Sequence, residues 1–139
     1  MYDLDRFILA QESCYGKALD EVKNGKKESH WMWFIFPQIY GLGVSDIAMF
    51  YSINDIGEAK LYLEHEVLGP RLIEITKEVL SLDTDDPIEV FGEIDSLKLN
   101  SCMTLFDYVS ERDNVFKEVI DKFYDGRKDQ KTLQLLKKN

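Results

Sequence analysis

The chain has 139 residues, and its 26 acidic and 17 basic side chains give a formal net charge of −9. We expect a single globular domain over residues 1–139, because a chain of this length can bury its own core. Hydrophobic residues make up 45% of the sequence and only three residues are proline, which argues against a disordered or low-complexity chain. The negative charge disfavours nonspecific binding to nucleic acid.

The sequence indicates a cytoplasmic protein without a metal site. Asp3 and Asp5 near the start are not typical of a signal peptide. The longest stretch without Asp, Glu, Lys or Arg, residues 29–45, is too short and too polar to span a bilayer. Cys14 and Cys102 belong to no ligand motif, so we expect two free thiols, no metal and no cofactor.

Apolar residues recur at helical spacing along nearly the whole chain. Three- and four-residue steps from Leu4 to Val22 predict a first helix, with Asp3 as its cap and Asn24-Gly25 as its end. The next segment, His30-Trp-Met-Trp-Phe-Ile-Phe-Pro37, is apolar on every side, so its period does not distinguish helix from strand. We favour a helix capped by Ser29 and buried on most faces.

Cap and break residues predict the later helices. A short helix starts at Asp46 after Ser45, and Asn54 or Asp55 opens a longer one that Gly69-Pro70 breaks, with Pro70 as first residue of the next helix. Further starts and stops follow at Asp86-Pro87, Gly92, Asp95 or Ser96, Asp113 and Gly126, with a last helix through Leu133 and Leu136. No hairpin turn joins two alternating runs. We therefore predict an all-α, compact single-domain bundle of six to seven helices.

Polar groups within the aromatic segment form the first candidate site. Trp31 and Trp33 carry indole N–H groups, and His30 and Gln38 flank them. In a pocket lined by aromatic rings these groups could orient a planar ligand. The alternative is that the tryptophans belong to the core, His30 bonds a backbone carbonyl and Gln38 caps a turn.

Two further segments are candidates for holding an anion. Lys98, Ser101 and Thr104 share one face of a predicted helix, where a lysine beside two hydroxyls could bind a phosphate or carboxylate, or activate a hydroxyl. That face could equally be a solvated helix surface. Gly41-Leu-Gly43 with Ser45 could bring backbone amides onto an anion, although a tight turn with Ser45 as cap explains the same residues.

Charge is distributed unevenly along the chain. Residues 44–97 hold 13 acids and only three bases, Lys60, Arg71 and Lys77, whereas residues 98–139 hold seven acids and nine bases. No P-loop, dinucleotide-binding, zinc-protease or hydrolase motif is present. The residues therefore leave open whether the protein is an enzyme.

The sequence resembles a bacterial family of small proteins known as a domain of unknown function. The resemblance rests on the Ser29-to-Gln38 motif, Ser-His-Trp-Met-Trp-Phe-Ile-Phe-Pro-Gln, and on Leu68-Gly-Pro-Arg-Leu72. The positions typical of the family are His30, Trp31, Trp33, Gln38, Ser45, Arg71, Lys98, Ser101 and Thr104. Some members carry the label "calpastatin", but nothing here resembles the long disordered repeats of calpastatin. The resemblance implies a compact helical bacterial protein and no activity.

Two functions follow as hypotheses. The first is binding or hydrolysis of an anionic planar small molecule, such as a nucleotide or a compound of the ADP-ribose type, by those nine positions. The chain's end, with Lys122-Phe123 and Leu133 to Leu136, has a fainter resemblance to proteins that act on ADP-ribose or ribosyl-phosphate compounds. The acidic catalytic motif of those proteins cannot be placed on this sequence. The second is a non-catalytic interaction module whose acidic surface binds a basic protein.

Overall fold

The fold is all-α, as predicted. The computed structural model describes residues 2–138 and contains ten helices there. They are α1 (Asp5–Glu12), α2 (Tyr15–Lys23), α3 (Met32–Ile35), α4 (Asp46–Phe50), α5 (Ile56–Glu64), α6 (Leu68–Leu80), α7 (Pro87–Phe91), α8 (Glu93–Tyr108), α9 (Val115–Tyr124) and α10 (Gln130–Leu136). None of these helices is long and apolar enough to cross a membrane. The predicted number of helices was too low because several last only one or two turns.

Helices α6 and α8 organise the core. Helix α8 packs against α7, α9 and α10, while α6 packs against α2, α5 and α9. The side chains of Leu99 and Phe106 on α8 are fully buried, as are those of Leu72 and Ile75 on α6. The long apolar faces of these two helices therefore build one continuous core.

The first predicted helix is divided into α1 and α2. The break lies at Ser13-Cys14, and each helix buries its own apolar residues, Phe7 on α1 and Val22 on α2. Asp3 is not the cap, since Leu4 occupies that position and no side chain caps it. The apolar residues keep the same three- and four-residue spacing through both helices, so the spacing alone predicts one continuous helix.

Predicted caps are correct where their geometry is local. Ser45 accepts from the amide of Ala48, Asp55 from Glu58 and Asp86 from Ile88, at 3.2, 2.9 and 3.0 Å.

Other predicted boundaries are wrong by a few residues. Helix α8 begins after Gly92 rather than at Asp95 or Ser96, and Asn114 caps α9 rather than Asp113. Helix α6 begins at Leu68, so Pro70 is its third residue. The imidazole Nδ1 of His65 accepts a hydrogen bond from the Leu68 amide at 3.3 Å, which gives the first residue of α6 a hydrogen-bond partner.

The aromatic segment forms one helical turn, α3, followed by an isolated parallel bridge between Ile39 and Ile53. Ser29 is not its cap, because Trp31 occupies that position. The rings of Trp31 and Phe36 are buried and both meet Phe91, with centroids 6.5 and 6.0 Å away. The segment is thus core, as its composition predicts.

A buried carboxylate holds the segment before α3 in place. Glu21 Oε1 accepts from the Trp31 indole at 2.9 Å and from the amides of Glu28 and Ser29 at 2.8 and 2.9 Å. Glu21 Oε2 accepts from the Ser29 hydroxyl at 2.6 Å. Burial raises the pKa of Glu21, but the four hydrogen bonds outweigh burial and lower that pKa to about 2.

A second buried carboxylate joins the N-terminal helix to α5. The Arg6 guanidinium binds both oxygens of Glu58, at 2.9 and 3.3 Å, and Glu58 is fully buried. The backbone amide of Asn54 donates to the same carboxylate at 2.7 Å, so both oxygens of the buried charge have hydrogen-bond donors.

The Glu21 carboxylate gives the protein an acid-sensitive stability. Its folded pKa lies below the unfolded value, so its contribution is complete above about pH 4.5 and is lost as the pH falls towards 2, amounting to about 3 kcal/mol. We predict that Glu21→Gln lowers the free energy of unfolding at pH 7 by about 2–4 kcal/mol. Urea unfolding between pH 2 and 7 measures both effects.

Glu28→Gln is the matched control, because the Glu28 side chain is exposed. Glu28→Gln should unfold like the wild type at every pH. A Glu21→Gln variant with wild-type stability and the same acid slope would contradict the role given to Glu21.

The contact between α5 and α6 requires glycine at position 69. A Cβ added to Gly69 would lie 2.0 Å from the carbonyl oxygen of Leu63, which is backbone and cannot move aside alone. We predict that Gly69→Ala lowers the free energy of unfolding by about 2–3 kcal/mol or more. Gly16→Ala has no atom within 4 Å of the added methyl group and should be neutral or slightly stabilising. Equal melting temperatures for the two variants would refute the clash.

Candidate functional site

The structure brings Trp33 and Lys98 together. The Lys98 ammonium lies 5.3 Å from the Trp33 ring centroid and 3.9 Å from Asp95 Oδ1. Asp95 Oδ2 binds the Lys27 ammonium more tightly, at 2.9 Å. We call these four residues the Trp33–Lys98 surface. Trp33 is half-buried and Lys98 is partly exposed, so a ring face and a cation are presented together.

His30 and Trp31 precede Trp33 in the chain, on the segment held by Glu21. His30 is exposed, whereas Trp31 is 1% exposed and donates its indole N–H to Glu21. The Lys27 ammonium lies 5.1 Å from the Trp31 ring centroid and packs between the segment and Asp95. Of the two indoles, only that of Trp33 is therefore open to a ligand.

Ser101 and Thr104 lie further along α8 and hold the start of α10. The Ser101 hydroxyl donates to Asp129 Oδ2 at 3.3 Å, and Thr104 Oγ1 accepts from the Asp129 amide at 2.9 Å. Asp129 in turn caps α10 through the amide of Thr132. Both hydroxyls are buried and engaged in these contacts, which explains polar residues in the middle of a helix.

Arg71 belongs to a different polar network. Its guanidinium donates to Gln11 Oε1 at 3.3 Å and lies 5.3 Å from the centroid of the Tyr15 ring. Gln11 Nε2 donates to the Phe34 carbonyl at 2.7 Å and to the Tyr62 hydroxyl at 3.1 Å. The network joins α1, α3, α5 and α6. Arg71 is part of this network and is not part of the Trp33–Lys98 surface.

Gln38 and Ser45 border the loop that leads into α4. The Gln38 carbonyl accepts from the Ile53 amide at 2.8 Å, and exposed Ser45 caps α4. A Cβ on Gly41, whose φ is +110°, would lie 3.2 Å from the Leu135 side chain, and one on Gly43 would lie 2.5 Å from the Ala48 side chain. Close packing thus accounts for both glycines.

Cys102 is buried, and burial raises the pKa of its thiol well above the ordinary value, which suppresses the nucleophilic thiolate. Residues 2–138 contain no group of three or more His, Cys, Asp or Glu side chains placed to hold a metal.

A separate cleft lies between α5, α6 and the loop that joins α8 to α9. Its volume is about 610 Å³. It is lined by Lys60, Leu63, Glu64, Ile73, Lys77, Val109, Ser110, Glu111, Asn114, Val115 and Phe116. None of the nine sequence-predicted residues lines it. The sequence did hold a signal for the cleft, because Lys60 and Lys77 are two of the three bases within the acidic stretch 44–97.

A crystal structure of the conserved hypothetical protein Rv1873 from Mycobacterium tuberculosis has this fold, with a TM-score of 0.95. The two proteins are 43% identical, and the match covers 98% of this chain and 97% of that chain. A search among curated proteins found no match. The calpastatin label is not confirmed, because neither the mycobacterial protein nor the matching family is described by that word.

The profile of a family described as protein of unknown function (DUF1810) matches residues 1–136. This match agrees with the resemblance seen in the sequence. The chain therefore belongs to the DUF1810 family of proteins of unknown function.

Proposed function

We propose that the protein binds an anionic planar small molecule, of the nucleotide or ADP-ribose type, at the Trp33–Lys98 surface. The observation that carries the proposal is the Lys98 ammonium placed 5.3 Å from the centroid of a half-buried indole ring. A planar base stacks on the ring while the ammonium meets the phosphate. Binding alone is proposed, because Trp33, Lys98, Lys27 and Asp95, which form the surface, include no hydroxyl or thiol nucleophile.

The ion pairs of the surface leave Lys98 available to bind an anionic ligand. Lys27 binds Asp95 at 2.9 Å, whereas Lys98 reaches the same carboxylate only at 3.9 Å. Lys27 is thus the main ion-pair partner of Asp95. The Lys98 ammonium is only weakly paired and can bind an incoming phosphate. Exposed His30 on the segment before Trp33 can donate a further hydrogen bond.

The remaining sequence-predicted positions support the ligand surface indirectly. They are Trp31, Ser101, Thr104, Arg71, Gln38 and Ser45, which hold helices and loops of the fold, Trp31 through its bond to Glu21. Their contacts are with the protein itself, at Asp129, Gln11 and the backbone. In this proposal they are structural residues, and Trp33, Lys98 and His30 contact the ligand.

Tryptophan fluorescence tests the proposal directly, because the chain has only two tryptophans and one is buried. We predict that AMP and ADP-ribose quench the emission of the wild type and raise its melting temperature. Adenosine, which lacks the phosphate, should bind about tenfold more weakly. The Trp33→Phe variant keeps Trp31 and should show no quenching.

Lys98→Gln should weaken binding of AMP about tenfold, because it removes the cation while keeping the length of the side chain. Lys17→Gln is the matched control, since Lys17 is exposed on α2 and the variant has the same net charge. No quenching and no thermal shift with either nucleotide, or equal binding by Lys98→Gln and Lys17→Gln, would contradict the proposal.

A second candidate function rests on the acidic segment around α7. Five carboxylates in residues 83–93 are exposed, no base lies among them, and Ile88 beside them is 54% exposed. A basic protein segment fits this surface. We predict that the triple variant Asp83→Asn, Asp85→Asn, Glu89→Gln loses affinity for an oligolysine peptide while Lys98→Gln keeps it. Absence of peptide binding at low salt would refute this function.

A further inference from the structure

The cleft between α5, α6 and the α8–α9 loop combines an apolar floor with unpaired cations. Phe116 is 2% exposed and forms part of the floor, with half-buried side chains around it. Those surrounding apolar residues are Leu63, Ile73, Val109 and Val115. A volume of about 610 Å³ lies within the range of roughly 300–1,000 Å³ that small-molecule sites occupy. The apolar lining favours a ligand with an apolar body.

The neutral polar side chains of the cleft are already engaged. The Ser110 hydroxyl donates to the Phe106 carbonyl at 2.6 Å. The Asn114 amide donates to Asp107 at 2.8 Å, and its oxygen accepts from the Lys117 amide at 2.9 Å. A polar, many-donor ligand such as a nucleoside would therefore find few free neutral partners here.

The charged side chains of the cleft are free. Lys60 on α5 and Lys77 on α6 are exposed, and neither forms an ion pair among the described residues. Glu64 and Glu111 also line the cleft and pair with neither lysine. Lys60 and Lys77 come from different helices and border one apolar floor. With Glu64 and Glu111 the charged lining sums to zero, so an anionic head group depends on direct contact with the two lysines.

We propose that this cleft binds a small amphiphilic carboxylate. The apolar body packs on Phe116 and its neighbours, and the carboxylate lies between the Lys60 and Lys77 ammonium groups, where charge-assisted hydrogen bonds form. The site is independent of the Trp33–Lys98 surface. Lys98 and Val109 are eleven residues apart on and just after α8, which places them about 16 Å apart along the helix.

Calorimetric titration with decanoate tests the proposal. We expect decanoate to bind the wild type at one site. Nonyltrimethylammonium, with the same nine-carbon alkyl chain and the opposite charge, should bind at least about tenfold more weakly. The double variant Lys60→Gln, Lys77→Gln should lose about tenfold or more in affinity for decanoate. Both lysines are exposed, so this variant should melt like the wild type.

The matched control is Lys17→Gln, Lys131→Gln, which removes the same charge from exposed positions outside the cleft. Its affinity for decanoate should equal that of the wild type. Failure of decanoate to bind, equal binding of the cationic amphiphile, or equal losses in the two double variants would each overturn the proposal. AMP titrations followed by Trp33 fluorescence should be unchanged in Lys60→Gln, Lys77→Gln, so either site can fail without the other.

Discussion

The structure depends on a carboxylate that is removed from water and surrounded by donors. Glu21 on α2 receives four hydrogen bonds from residues 28–31, and these bonds more than offset the cost of burying its charge. They fix Trp31 against Phe36 and Phe91 in the core. Trp31 is turned inward, and the next indole along the chain, Trp33, lies half-buried beside Lys98. The Glu21 carboxylate thus supports both the aromatic core and the Trp33–Lys98 surface.

Local features were predictable from the sequence, and tertiary ones were not. Asp55 and Asp86 could be recognised as caps because a cap and its acceptor amide lie two or three residues apart. Ser29 looks like a cap by the same rule, yet its hydroxyl donates to Glu21, eight residues earlier on another helix. The sequence grouped Lys98 and Trp33 among nine candidate ligand positions but predicted no contact between them. Nor did it predict the engagement of Ser101 by Asp129, since the start of α10 reaches α8 only in the folded chain.

The two candidate sites show how an acidic protein presents positive charge. Most acids are solvated, while Glu21 and Glu58 are buried and fully hydrogen-bonded. The lysines that remain unpaired or loosely paired are therefore the ones able to attract an anion. Lys98 stands beside an indole, which favours a planar polar ligand, whereas Lys60 and Lys77 stand over an apolar floor, which favours an amphiphile. The side chains next to the lysines, an indole in one site and an apolar floor in the other, therefore distinguish the two ligand classes more than the positive charge does.

The indole N–H signals in a nitrogen-15 NMR spectrum test the central claim most directly. Our account predicts that the Trp31 signal exchanges slowly with solvent deuterium and keeps its position during titration with ADP-ribose, because its N–H is buried against Glu21. The Trp33 signal should exchange fast and shift with ligand concentration. A rapidly exchanging Trp31, or a Trp33 signal that ADP-ribose leaves unmoved, would contradict the account.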